Sequence, residues 1–387
     1  MNGRPAHVLV IGAGLAGAAT AAALARRGTA VTLLSDPGGR AASAVPLAVM
    51  APYPTRARDP LSRFRNQGLC LTRAWLAHLE AMGLDSGRRV DGVLIVPVRP
   101  RERARRDRVR ARLGGPRVLD VDQALGASGM RPPEPSVFHP QGACIAPESL
   151  ASALLAAARP GTVERIAGRV ERVVRAGHGW RALDERGRPL ATAAQAVLAA
   201  GPASASLWPA LARALVPVRG QASAFPASAA SVGLRLAVSC GGFVTPAFNG
   251  LHWVGATAQR YEDDLLARAE DDRENAARFC SLWPGAPAPV PCERFVAVRA
   301  TTPDRLPIVG ELDDGLWVNA GHGSHALQTA ALAARLLAGV ITGRASHPLW
   351  SVVHPARRAV CARDRAANRQ VQGRADCPLA STGRRRG

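Results

Sequence analysis

The chain has no lysine. All 50 of its basic residues are arginine, set against 29 Asp and Glu, for a formal charge of +21 in 387 residues. Enrichment in Arg, Ala, Gly and Pro is what a GC-rich genome produces, which accounts for arginine replacing lysine but less readily for the excess over acids. Such an excess favours polyanionic partners through counterion release, so charge alone leaves nucleic-acid contact open. Also missing are HExxH, G-x-S-x-G and a P-loop, which removes the basis for zinc-hydrolase, serine-hydrolase and ATPase readings. The seven cysteines are scattered, odd in number and form no C-x-x-C, which argues against a disulfide framework or a zinc site. Only one run approaches membrane length, Val8 to Ala25, and a cytoplasmic protein without a membrane partner is expected. The length implies two domains.

The uncharged run changes character partway. Val8, Val10 and Ile11 are β-branched, Ala18 to Ala25 is Ala-rich, and a second extended run, Ala30 to Leu34, follows Gly28. Between the first two lie Gly12, Gly14 and Gly17, which makes the stretch strand, glycine turn, helix, strand: a βαβ unit with G-x-G-x-x-G in its informative context. Gly12 permits the tight turn, Gly14 lets backbone approach a pyrophosphate, and Gly17 lets the helix close on the strand. A signal peptide or spanning helix fits less well. NAD and FAD both remain open on the motif. Ser35 occupies the usual place of the ribose-binding acid and Asp36 comes one residue later.

Further along, "AQAVLAAG" (Ala194 to Gly201) reads as a buried parallel strand ending at a glycine. "GLWVNAGHGSHALQTAALAARLLAGVITG" reads as strand, Gly-rich turn and long helix. "GVLIVPV" (Gly92 to Val98), "LVPVRGQASAF" (Leu215 to Phe225) and a hairpin around Asn249 and Gly250 suit an antiparallel sheet. The expected architecture is α/β: a Rossmann-like nucleotide domain assembled from residues 1–85, 138–205 and 297–353, with an α+β domain built on an antiparallel sheet from 86–137 and 206–296. Two Arg-rich clusters stand apart, Val98 to Arg117 and the segment 354–387. The first reads as a solvated helix face ending at Gly114 and Gly115, the second as a flexible tail able to touch phosphate.

In order along the chain, "LSRFRNQG", "FHPQGACIAPESLASALL", "PVRGQ", "GGFVTP", "WVGATAQRYEDD", "EDDRENAARF", "VRATTPDRLPIVG" and "GHGSHALQTA" resemble the FAD-dependent oxidoreductases of the D-amino-acid oxidase and glycine oxidase type. The VRGQ, GATAQRYEDD and RATTPDRLPIVG runs resemble most the oxidase half of the bifunctional tRNA 5-methylaminomethyl-2-thiouridine biosynthesis proteins. The likeness runs from Val8 to about Arg358. It implies noncovalent FAD, with Gly12, Ala13, Gly14, Leu15, Ala16 and Gly17 at the pyrophosphate and Asp36 at the adenosine ribose. By position it puts Ser43 near the phosphates and flavin, Val170 near the adenine and Gly201 in the same pocket. A second turn, Gly321, Gly323, Ser324, His325, Ala326, Leu327 and Gln328, points a helix N-terminus at the flavin. Val45 and Ala48 depart from the family's Ala-Ser-Gly-Asn-x-x-Gly pattern.

The same resemblance implies the reaction: oxidation of the C–N bond of a carboxymethylaminomethyl arm on the tRNA wobble uridine. Water then releases glyoxylate, and dioxygen is the electron acceptor. Methylation would then come from a separate methyltransferase chain. A small-amine oxidase for glycine, sarcosine or a D-amino acid, and a flavin-binding protein without turnover, remain alternatives. Arg299 takes the position of the carboxylate-binding arginine, with a structural pair to Asp304 as the other reading. His322 and His325 lie beside the flavin turn, where His325 is a candidate for an electrostatic or proton-accepting role. Arg219 reads as a structural contact between domains. Trp253 and Tyr261 border the channel or pack in the core.

Overall fold

The computed structural model describes residues 7–52, 59–109, 115–344 and 347–357. The β-branched residues after His7 extend as strand His7–Ile11, the glycines turn the chain, and helix Leu15–Ala25 carries it back to strand Ala30–Ser35. Alanine loses the least side-chain entropy in a helix, and this helix is buried at every residue except Ala16. The uncharged run is therefore core.

Six strands form the first sheet, in the order Ile308–Asp313, Leu316–Ala320, Gln195–Leu198, His7–Ile11, Ala30–Ser35, Val163–Ala167. All pairs are parallel except the edge pair Ile308–Asp313 with Leu316–Ala320. Strand Gln195–Leu198 thus lies where a buried parallel strand was expected. It separates the two strands that end in glycine turns, so both turns open at one edge of the sheet, the carboxyl end where open α/β sheets take ligands. Helix Ala326–Ile341 leaves the second turn. The segment Gly323–Ile341 does have the length and apolarity to cross a membrane, which the sequence reading overlooked, but it is 72% buried inside the protein.

Helix Pro60–Ala81 starts sharply because Asp59 accepts from the Ser62 N–H at 2.9 Å and Pro60 opens the first turn. It lies against Ala326–Ile341 at Gly68, where a Cβ would come 1.9 Å from the Gln328 carbonyl oxygen. The Thr72 hydroxyl donates to the Leu327 carbonyl at 2.8 Å beside this crossing. The glycine of "LSRFRNQG" is thus a contact that fixes the second turn's helix.

The second sheet has ten strands. Its longest, Val216–Pro226, pairs antiparallel with Glu293–Thr301 on one edge, and with Leu251–Gly255 and Gln259–Arg260 on the other. The expected hairpin is present, turning at Asn249 and Gly250 with φ of 53° and 77°, the left-handed pair that matches strand twist. Strands Ala48–Met50 and Ser136–Ile145 also join this sheet, although the sequence reading gave their stretches to the nucleotide unit. A separate three-stranded sheet, Arg172–Ala176, Gly179–Leu183 and Pro189–Ala193, packs on the first sheet through Trp180, Ala182 and Ala193.

Arg219 is fully buried on Val216–Pro226. It binds Asp271 at 2.5 Å, Asp264 at 3.3 Å and the Leu266 carbonyl. Gln221 and Ser223 reach Asp272 at 2.8 and 2.7 Å, and Asn275 donates to Ser223 at 3.0 Å. This network ties helix Ala269–Cys280 and the loop before it to the strand. Arg219 is structural, but inside the second sheet's layer rather than between domains.

Of the first Arg-rich cluster, Pro100–Arg106 forms a short helix, and Arg103 and Arg106 share Glu134 at 2.8 and 2.7 Å. Residues 110–114, including the expected Gly114 stop, lie outside the described residues, as does the tail from Arg358 onward. His354 to Arg357, counted with that tail, pack on the body: Arg357 forks onto Asp304 at 2.7 and 3.0 Å.

Candidate active site

The first glycine turn is built by close approach. Gly12 has φ of +106°, and a Cβ there would meet the Ala199 carbonyl oxygen at 2.6 Å; one on Gly17 would lie 1.7 Å from the Gly12 carbonyl oxygen. Gly14 differs. A Cβ there would meet only Ser43 Oγ at 3.2 Å and Ala41 Cβ at 3.7 Å, so the backbone borders open space beyond a helix N-terminus. Ser43 Oγ accepts from the Leu15 N–H at 3.1 Å, and no acid sits in the helix's first turn to neutralise its dipole. Ala13 and Ala16 remain half-buried beside it. A Cβ on Gly201 (φ +58°) would likewise meet nothing within 4 Å.

Asp36 is the first residue past its strand, since Ser35 still pairs with Ala167. Its carboxylate is exposed and accepts from the Gly38 N–H at 2.9 Å. Val170 is half-buried and packs on the core near Leu34 and Ile166. Ala48 lies in a short strand with extended backbone and Val45 has φ of −55°, so neither departure from the family pattern sits where glycine is required.

The second turn has Gly321 at φ +80° and Gly323 at φ +56°. Ser324 is exposed, His325 and Ala326 half-buried, and Leu327 and Gln328 buried. It is tied to the first turn through buried His322, whose ring nitrogens meet Thr329 Oγ1 at 2.8 Å and Asn319 Oδ1 at 3.0 Å. Asn319 in turn donates to Thr20 Oγ1 at 2.9 Å, on the first helix. The two junctions are therefore cross-braced, and His322 is a brace rather than a group facing a ligand. Burial pushes its imidazole down to about 4.

Arg299 sits on Glu293–Thr301, whose Thr301 bridges His322 at the turn. Its guanidinium is half-buried and donates to the Thr257 carbonyl at 3.1 Å. Among the described residues no carboxylate pairs with it: Asp304, the partner the other reading required, is taken by Arg357. Burial lowers the Arg299 pKa, yet a guanidinium stays protonated. His325 lies within the field of three arginines. Burial first, then Arg65, Arg305 and Arg299, push its imidazole down to about 3, so it is neutral at physiological pH. Arg65 and Arg305 belong to "LSRFRNQG" and "TTPDRLPIVG", and nothing in the spacing of those motifs marks them as neighbours. Trp253 is buried in the core, whereas Tyr261 is exposed with φ of 68°.

An open cradle at Gly14 and Gly201 beside an uncompensated helix N-terminus, braced to a second glycine turn, suits a dinucleotide. Residues 7–340 match the family described as "FAD dependent oxidoreductase". The chain belongs to that family.

It is accordingly an FAD-dependent oxidoreductase. Similar proteins include the tRNA 5-methylaminomethyl-2-thiouridine biosynthesis bifunctional protein MnmC of Chromohalobacter salexigens, 33% identical over 92% of this chain and 57% of that protein. MnmC of Delftia acidovorans is 35% identical over 86% and 58%. The chain spans a little over half the length of these relatives. Among solved structures, glycine oxidase of Geobacillus kaustophilus superposes with a TM-score of 0.77 at 22% identity, covering 90% of this chain and 98% of that one. Iminodiacetate oxidase of Chelativorans sp. BNC1 gives 0.77 at 23%, with the same coverage. These two likenesses concern the fold.

Proposed function

We propose that the chain oxidises the C–N bond of a carboxymethylaminomethyl group on the wobble uridine of tRNA, with glyoxylate and the aminomethyl nucleoside as products. The observation that carries this reading is Arg299, a guanidinium beside the second glycine turn that donates to the Thr257 carbonyl and has no acid partner among the described residues. A planar fork with donors left over and no paired acid suits a carboxylate, which glycine-like arms supply. The MnmC relatives support a nucleoside substrate: both are named for the biosynthesis of 5-methylaminomethyl-2-thiouridine in tRNA, whose arm is the methylated form of the aminomethyl product.

FAD, held at Gly12, Gly14, Gly17, Asp36, Ser43 and the Gly321 to Gln328 turn, would supply the two-electron acceptor, and dioxygen would be the final oxidant. The protein's own part is positional. Arg299 grips the carboxylate and so sets the distance of the α-carbon, the kind of orientation that lowers a barrier without a protein nucleophile. His325, held neutral with its imidazole pushed down to about 3, is too weak a base to deprotonate an ammonium and serves as an uncharged hydrogen-bonding group beside the arginines, so the substrate is taken as the free amine. The charge excess of +21 suits an RNA substrate.

The test is turnover of tRNA bearing the carboxymethylaminomethyl nucleoside by the yellow holoenzyme, with glyoxylate measured chemically and nucleosides by mass spectrometry. Conversion to the aminomethyl form supports the reading. Oxidation of glycine or sarcosine, with the tRNA untouched, overturns it in favour of a small-amine oxidase.

A further inference from the structure

One carboxylate needs one guanidinium fork, yet two more arginines bear on the same imidazole. Arg305 is the more exposed. It holds a left-handed backbone, φ +63°, which costs an L-residue about 1–2 kcal/mol, and such outliers are retained where the surroundings impose them. The surroundings here are explicit: the Arg305 N–H donates to the Thr302 carbonyl at 3.2 Å and Thr302 Oγ1 to the Leu306 carbonyl at 2.6 Å. Arg65, from the helix crossing at Gly68, donates Nη2 to the Arg305 carbonyl at 3.4 Å. The adjacent acid cannot neutralise Arg305, because Asp304 is already forked by Arg357 and bonded to Thr302 Oγ1 at 3.0 Å. Among the described residues no carboxylate pairs with Arg305.

We propose that Arg305, backed by Arg65, is a phosphate contact that receives the nucleotide backbone flanking the residue being oxidised. This deepens the wobble-uridine reading and rests on it for the identity of the substrate. Arg299 is the inner, half-buried cation and Arg305 the exposed outer one. A free amino acid has one anionic group and would leave the outer cation without a task. A nucleotide within RNA has two kinds of anion, a carboxylate on the modified arm and phosphates on either side. The separation of two cationic positions, one sheltered and one in solvent, matches that substrate class. The Gly68 crossing sets the Arg65 helix against Gln328 of the second turn, and Arg65 reaches the Arg305 carbonyl, so Arg305 is tied to the same turn that Arg299's strand meets through Thr301.

Phosphate could come from RNA backbone or from free phosphate, and the experiment separates them. Binding of a synthetic, unmodified anticodon stem-loop RNA to the holoenzyme is measured by fluorescence anisotropy across a salt series. The proteins are wild type, Arg305→Gly, which keeps the left-handed backbone without strain, and Arg305→Lys, which keeps the charge. Losing one phosphate contact reduces the slope of log K against log salt by about 0.7–1 and weakens binding at 0.1 M salt by about five-fold. Arg305→Lys restores most of the slope. In turnover, the ratio of kcat/KM for modified stem-loop to kcat/KM for the phosphate-free modified nucleoside falls by about the same five-fold in Arg305→Gly. An unchanged salt slope in a folded Arg305→Gly protein overturns the proposal. So does orthophosphate raising the wild-type unfolding temperature in an Arg305-dependent way while RNA binding ignores the substitution, which would assign the contact to free phosphate. A wild-type protein that shows the Arg305-dependent slope but leaves the modified nucleoside unoxidised refutes the oxidase reading and leaves the phosphate contact standing.

Discussion

Two glycines three residues apart, Gly14 and Gly17, separate cofactor binding from folding. A Cβ on Gly17 falls 1.7 Å from the Gly12 carbonyl oxygen, so Gly17→Ala forces the first helix off its strand. Overpacking of that kind costs about 3 kcal/mol, which for a chain of 387 residues lowers the unfolding temperature by roughly 3–5 °C even without FAD. A Cβ on Gly14 has only Ser43 Oγ at 3.2 Å and Ala41 Cβ at 3.7 Å as neighbours, so Gly14→Ala leaves the apoprotein's unfolding temperature nearly where it was. The new methyl instead occupies the space in front of the helix N-terminus. If a pyrophosphate belongs there, at least one charge-assisted hydrogen bond of about 1.5–3 kcal/mol is lost, and the Kd for FAD rises roughly 10- to 100-fold. Fluorescence titration of apoprotein with FAD gives the affinity, and thermal unfolding with and without FAD gives the stability. Gly14→Ala protein that takes up FAD as tightly as wild type would falsify the placement of the phosphates, whatever Gly17→Ala does.

Arg299→Met removes the guanidinium proposed to grip the substrate carboxylate, and truncating one partner of a desolvated charge pair costs about 2–5 kcal/mol, a loss of roughly 30- to 5000-fold in kcat/KM. Arg299→Lys recovers part of it, chiefly in KM; oxygen-consumption kinetics unaffected by either change would remove Arg299 from the site. Arg219→Ala leaves Asp271 buried without its partner and destabilises by about 3–5 kcal/mol, whereas Arg219→Met with Asp271→Leu costs much less; equal losses in denaturant melts would contradict an ion pair as the dominant contact. His322 is pushed by burial from the ordinary 6.5 to about 4, so the unfolded chain binds its proton first as pH falls. The associated stability, roughly 3 kcal/mol, is complete above pH 6.5 and lost as pH falls towards 4. Urea midpoints of His322→Gln should therefore decline less between pH 7 and 4.5 than those of wild type, and parallel declines would count against it.

What the sequence disclosed is what local chemistry dictates. The change from β-branched to Ala-rich residues at Gly12 placed the first strand, turn and helix, and Asn249-Gly250 placed the hairpin, because φ > 0 at consecutive residues leaves few alternatives. Partnerships between distant segments were not legible in that way. Asp304 lies five residues from Arg299 and invites pairing, yet its acid goes to Arg357, brought from 53 residues on by the end of the chain folding back. Arg299 has no acid partner among the described residues, while the nearest acid in sequence is held by a contact made elsewhere. Strands Ala48–Met50 and Ser136–Ile145 show the same limit, since the second joins the sheet by pairing with Arg88–Ile95 and the first by pairing with the second, whatever the composition of either strand. Arg65 and Arg305 extend the point: each looks like one of 50 interchangeable arginines until Gly68, by allowing two helices to touch, brings the first beside the second. A charge excess read from composition says only that anions are welcome. Which arginines meet acids is decided by packing.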